Sequence, residues 1–174
     1  MSLNKDDIKL FSTAFSTLKS GGKTVIVSST VTMSVAGAYA TGDYMGTSAT
    51  PQAFTDVVTS NGGTGIIKSI TISDKITTAN VAMELWLFSS TFTAPTDNAA
   101  WAITDAEALT CLGVIPISTA GWYASANNQI YFDGTQSMVI KPGVKSLFYA
   151  LVARGTTPAF TSGDLTINLG ILQD

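Results

Sequence analysis

Apolar and polar residues alternate along most of this chain, and the cleanest run comes last: Leu165, Ile167, Leu169 and Ile171, each separated by one polar or small residue. A period of two puts every second side chain on one face of a strand. The same rhythm, less regular, runs through Lys23–Val35 (Val25, Val27, then Val31, Met33, Val35) and through Gly65–Ser73. In the latter, Ile66, Ile70 and Ile72 fall on one face and Lys68 interrupts the row. Two segments are apolar on both faces. Val81–Phe88 sets Val81, Met83, Leu85 and Leu87 against Ala82, Glu84, Trp86 and Phe88. Ser146–Ala153 sets Leu147, Tyr149 and Leu151 against Phe148, Ala150 and Val152. A strand with two apolar faces must be covered on both.

Shorter strand candidates are Gln52–Thr59, Leu112–Ile117 (interrupted or ended by Pro116), Trp122-Tyr123, Ile130–Phe132 and Met138–Ile140. Turn signals separate them at Thr41–Asp43, Asn61–Gly63, Asn127-Asn128, Asp133-Gly134 and Lys141–Gly143. Two stretches read as helix. In residues 6–19, Ile8, Phe11, Phe15 and Leu18 recur at spacings of three and four. Asp6 and Asp7 start that segment, Lys19 ends it and Gly21-Gly22 stops it. Thr104–Glu107 is a capping-box pattern that predicts a helical turn over 105–110. Eight to ten short strands with turns between them, and no βαβ rhythm, predict an all-β chain. The expected architecture is a jelly-roll-like β-sandwich over residues 23–174, with a short helical arm over residues 1–22.

Composition changes this picture in one respect. Of 174 residues only 12% are charged, against about 25% in ordinary domains. Ser, Thr, Gly and Ala take their place, and hydroxyls cost less to bury at an interface than ions do. The net charge of −3 argues against nucleic acid as a main partner, because phosphate binding needs a basic stripe. No apolar run reaches the length of a membrane span. Residues 1–23 nevertheless carry four lysines against two aspartates.

Candidate chemistry is sparse. The chain has no histidine, so the commonest general base and metal ligand is missing. A single cysteine, Cys111, makes neither an intrachain disulfide nor a thiolate metal site, and it reads as a small hydrophobe. No Walker loop, nucleophile elbow, zincin or calcium-loop pattern occurs. Gly62–Gly65 reads as a hairpin turn. Most carboxylates sit in predicted turns, where side-chain to backbone bonding explains them. Glu84, in mid-strand beside Trp86, is the exception; it reads either as a sugar contact or as a surface charge. The expectation is a non-enzyme with no metal and no cofactor.

Several stretches together resemble a known family: Tyr39–Gly46 (YATGDYMG), Gly65–Asp74 (GIIKSITISD), Glu84–Ser90 (ELWLFSS), Asp97–Asp105 (DNAAWAITD) and Leu169–Asp174 (LGILQD). They are similar to small tailed-bacteriophage virion proteins, head decoration or auxiliary structural proteins found with capsid genes. The resemblance covers roughly residues 35–174 and carries no active-site residues. It implies a protein made in the host cytoplasm and located in the virion. Its implied partners are the major capsid protein or another virion protein, and itself, with a trimer favoured by analogy to jelly-roll virion proteins. The interaction residues expected are Ile8, Phe11, Phe15 and Leu18 on the arm, docking on a neighbouring subunit or the capsid, with Trp86 and Phe88 on a sheet face. The arm's stripe has a competing reading, packing on its own sheet. The alternative function is a glycan-binding or adhesin domain that stacks sugars on Trp101, Trp122, Tyr123 and Tyr131.

Overall fold

The computed structural model describes residues 22–34, 36–76 and 80–174. The helical arm predicted for residues 1–22, with Ile8, Phe11, Phe15 and Leu18, lies outside the described residues except for Gly22, and so does Val35. The described chain is an all-β sandwich of two antiparallel sheets. Its strands are β1 (Lys23–Thr30), β2 (Tyr44–Met45), β3 (Gln52–Phe54), β4 (Gly65–Asp74), β5 (Met83–Phe88), β6 (Cys111–Ile117), β7 (Trp122–Ala124), β8 (Gln129–Asp133), β9 (Met138–Ile140), β10 (Leu147–Ala153) and β11 (Leu165–Gln173). The first sheet runs β1-β11-β4-β8-β7, with β9 also on β4. The second runs β2-β10-β5-β6, with β3 also on β10. One helical turn, α1 (Asp105–Ala108), forms with the predicted capping box: Thr104 Oγ1 accepts from Glu107 N, and Glu107 Oε2 accepts from Thr104 N.

The alternation in β11 does what a period of two requires. Leu165, Ile167, Leu169 and Ile171 are fully buried between the sheets, and the strand is interior, paired with β1 on one side and β4 on the other. Leu85, Leu87, Leu147, Tyr149 and Leu151 meet them from the second sheet. Two polar side chains inside are paired: Trp122 Nε1 donates to Val81 O at 3.0 Å, and Gln129 Nε2 donates to Asp74 Oδ2 at 2.7 Å.

Two sequence expectations are corrected. Ile66 does not share a face with Ile70 and Ile72. The register of β4 on β11 slips between Gly170 and Ile171, so that Ser69 faces Gly170 and Ile67 faces Ile171. Lys68 is the extra residue of this bulge. An unpaired residue shifts the parity of everything before it, so Ile67 is fully buried and Ile66 turns outward. Gly170 opposite the bulge has no Cβ where one would collide with Ser69 Oγ. Nor does Pro116 end its strand. β6 runs through it to Ile117, because β6 is an edge strand and one edge of its backbone need not donate.

Candidate interaction surfaces

The outer faces of the two sheets have different fates. On the second sheet, β5 presents Trp86 and Phe88 outward and β10 presents Phe148 and Ala150. The chain covers this face itself. Residues 89–104 return across it and bring Phe92, Ala94, Trp101 and Ile103 down onto Phe88, Trp86 and Tyr44. Trp101 is the hub: its ring centroid lies 5.6 Å from Phe92, 5.8 Å from Trp86 and 5.8 Å from Tyr44. Phe88 and Phe92 sit 4.5 Å apart.

Polar anchors hold that segment in place. Tyr44 N donates to Ala99 O and Trp101 N to Gly42 O, both at 2.8 Å. The buried Asp97 carboxylate accepts from Tyr39 Oη at 3.0 Å and from Gly46 N at 3.1 Å. Glu107, besides capping α1, accepts from Thr93 N at 2.6 Å. The expected interaction residue Phe88 is thereby corrected. It has no exposed surface, because the protein's own loop occupies the face on which a partner was expected. Trp86 is half-buried, and its Nε1 donates to Glu84 Oε2 at 2.9 Å. That carboxylate also takes Arg154 Nη2 at 2.6 Å, so Glu84 belongs to an ion pair at the edge of the cluster.

The outer face of the first sheet is uncovered by any described residue. Its middle is a hydroxyl and amide lattice: Ser28 donates to Asn168, and Thr30 meets Thr166 at 3.3 Å. Lys68 is the one charged side chain that the described strands place on it. Apolar side chains stand at both ends. At the β7–β8 end, Tyr123 pairs with Ile130 across the strands, and Phe132 lies two residues further along the same face. Their exposures are 67%, 41% and 52%. At the other end Leu172 of β11, Ile66 of β4 and Val139 of β9 form a cross-strand row, with Ile26 of β1 nearby at 75% exposure.

Sequence reasoning missed both clusters as surfaces, although one signal was present. In β8 three consecutive residues, Ile130, Tyr131 and Phe132, are apolar, so a strand must point either one or two of them away from the core. The structure buries Tyr131, and Trp122 with it, while Trp101 is only half-exposed with its Nε1 buried among the described residues. Of the four aromatics expected to stack sugars, only Tyr123 is open. Among the described residues no three His, Cys, Asp or Glu side chains cluster as metal ligands would. Cys111 is partly buried, and that burial pushes its thiol pKa up.

The carboxylates that pin the loops set an acid limit. Backbone and hydroxyl donors from Thr93 and Thr104 pull Glu107 from 4.5 down to about 2. Thr135 lowers Asp133, Thr64 lowers Asp174 and Arg154 lowers Glu84. A group whose pKa is depressed by folding stabilises the fold above its unfolded pKa, and loses that contribution as pH falls through the folded value. Asp74 has the opposite sign: burial raises its pKa, so it favours the folded chain more as pH drops. Four depressed carboxylates against one raised predict that the melting temperature falls between about pH 5 and about pH 2. Glu107→Gln, which keeps an acceptor oxygen for Thr104 N, gives up the one for Thr93 N and removes the titration, is expected to flatten part of that fall. Melts of wild type and variant across this range check it; parallel curves would assign the acid sensitivity elsewhere.

No protein-family model matches the chain, and no curated protein matches it in sequence.

Proposed function

We propose that this protein is a non-catalytic structural component of a tailed-phage virion, a head decoration or auxiliary protein of jelly-roll type. In this reading it packs on the phage head and on copies of itself. The observation that carries this reading is the outer face of the first sheet. It is nearly free of charge, hydroxyl-rich in the middle, and ends in the exposed cluster Tyr123, Ile130 and Phe132. A face of that chemistry loses little when desolvated and gains when the cluster is covered. The resemblance of Tyr39–Gly46 and Glu84–Ser90 to virion proteins supplies the setting.

The test is sedimentation with intact particles. Wild-type protein is expected to travel with heads. The double variant Tyr123→Ser with Phe132→Ser is expected to bind about 100-fold more weakly, since two large apolar side chains each contribute about 1.5 kcal/mol or more when covered. Its melting temperature should change little, because both side chains are exposed in the free chain. Unaltered binding by the variant would sink the assignment of this face. Failure of the wild type to travel with heads would sink the virion reading, and a glycan ligand lost with Tyr123 would favour an adhesin.

A further inference from the structure

A strand at the edge of a sheet presents unpaired N–H and C=O groups to any chain that can extend alongside it, and proteins discourage this with short strands, bulges, prolines or charges. The other described edges are guarded in that way. β2, β3 and β7 have three residues or fewer. β6 carries Pro116, and its register on β5 shifts between Leu87 and Phe88. β1 has none of these devices along its length. It runs eight residues as KTVIVSST and pairs with β11 without a break in register. It holds no proline, and its one charge is Lys23 at the start. No described strand lies on its other side.

The parity of the ladder shows what that side offers. Val31 N donates to Leu165 O at 2.9 Å, and on the opposite flank of β11 Asp174 N donates to Thr64 O at 3.3 Å. Successive residues of a strand turn their N–H and C=O to alternate sides. Val25, Val27 and Ser29 therefore bond to β11, while Thr24, Ile26, Ser28 and Thr30 aim theirs at the open edge. All four are exposed, and Ile26, at 75%, is the most exposed large apolar side chain on any described strand. There is room beside them. An open groove of about 440 Å³ is lined by Val25 and Val27 from one face of β1, by Ile26 from the other, and by Asp56 and Lys145 of neighbouring loops. A space that touches both faces of one strand lies along its open edge.

We propose that β1 is the seam of a two-fold dimer, in which the open edges of two copies of this chain pair antiparallel about Ile26. The edge complements itself in this register. Ile26 meets Ile26 of the second copy and Thr24 meets Ser28, which closes about six backbone hydrogen bonds, a number within the range of specific interfaces. The two Ile26 side chains stand together on the outer face and cover one another. Lys23 falls opposite Ser29, so no like charges meet along the seam. The first sheets of the two copies then form one continuous sheet. This is a pair, where the resemblance implies a trimer. The seam lies at the edge opposite Tyr123 and stands whether or not the protein belongs to a virion.

Sedimentation velocity of the full-length protein is expected to show a two-copy species that grows with concentration. Ile26→Lys sets two like charges against each other at the dyad and removes the apolar contact. It is expected to weaken the pair about 100-fold. Its melting temperature when dilute should match the wild type, because the side chain is exposed. A wild type that stays monomeric at every concentration overturns the proposal, and so does an assembly of any size that Ile26→Lys leaves intact. Loss of the pair in Tyr123→Ser with Phe132→Ser would place the contact at the other edge and overturn it as well. Oxidation tests the register. Cys111→Ser with Ile26→Cys is expected to form a covalent dimer, since directly opposed residues of a hydrogen-bonded pair have Cα atoms about 5.5 Å apart. Cys111→Ser with Ser28→Cys is expected to stay reduced, because the register offsets the two copies of that position by four residues, about 13 Å. Crosslinking at position 28 as readily as at position 26 counts against pairing about Ile26.

Discussion

Removing residues 169–174 is expected to abolish folding. The six residues are the last part of β11, an interior strand of the first sheet. Leu169 and Ile171 are fully buried, and each would cost about 2–5 kcal/mol if merely cut to Ala. Their loss is only part of the effect. Lys23–Val27 of β1 pair with residues 169–173, so half of β1 loses its only partner among the described strands, and Gly65–Ile70 of β4 lose theirs on that side. Gln173 Nε2 also holds Asp56 O at 2.6 Å, and Asp174 holds Thr64 N at 3.0 Å, which ties the 56–64 loop to the strand. A domain of ordinary stability has about 5–15 kcal/mol in hand, and this sum exceeds it. The truncated protein should therefore be insoluble or lack a cooperative melt. A soluble product with the wild-type melting temperature would show that β11 is not the interior strand described.

Phe88→Ala is expected to destabilise the free monomer by about 3–5 kcal/mol, as large cavities under aromatic clusters do. For a chain of this size that lowers the melting temperature by roughly 6–20 °C. The argument is local. Phe88 has no exposed surface, lies 4.5 Å from Phe92 with the rings tilted and 6.2 Å from Trp101, and packs with Tyr44 and Ala150. Its removal leaves a void under residues 89–104, which cannot close because Asp97 and Glu107 anchor the segment on either side. Urea denaturation at low protein concentration measures the effect without interference from assembly. A residue reserved for a partner would behave otherwise: its truncation would leave the monomer nearly unchanged and weaken association alone. That outcome would mean the covering segment does not seat on β5.

Several features were legible from the chain alone because they are local. Leu165, Ile167, Leu169 and Ile171 needed only the period of a strand to be placed on a buried face. Thr104 and Glu107 needed only the reach of two side chains over one helical turn. The two apolar faces of β5 and β10 announced that both would be covered. The shortage of charge, the missing histidine and the single cysteine narrowed the chemistry before any fold was known.

What covers the second apolar face was not local. A partner and a returning loop present the same requirement to Trp86 and Phe88, and only the path of residues 89–104, pinned to Tyr44 and Gly42 far back in the chain, chose the loop. The face of Ile66 was equally a matter of pairing. Read as an unbroken strand, it joins Ile70 and Ile72; one unpaired residue at Lys68, set by the register against Gly170 and Ile171, sends it to the other side. Alternation by itself determined which residues share a face within each uninterrupted stretch, because side-chain direction follows from backbone geometry two residues at a time. The tertiary structure alone decided which of those faces meet the core, which meet the chain's own loop and which stay open, because that depends on contacts between residues dozens of positions apart.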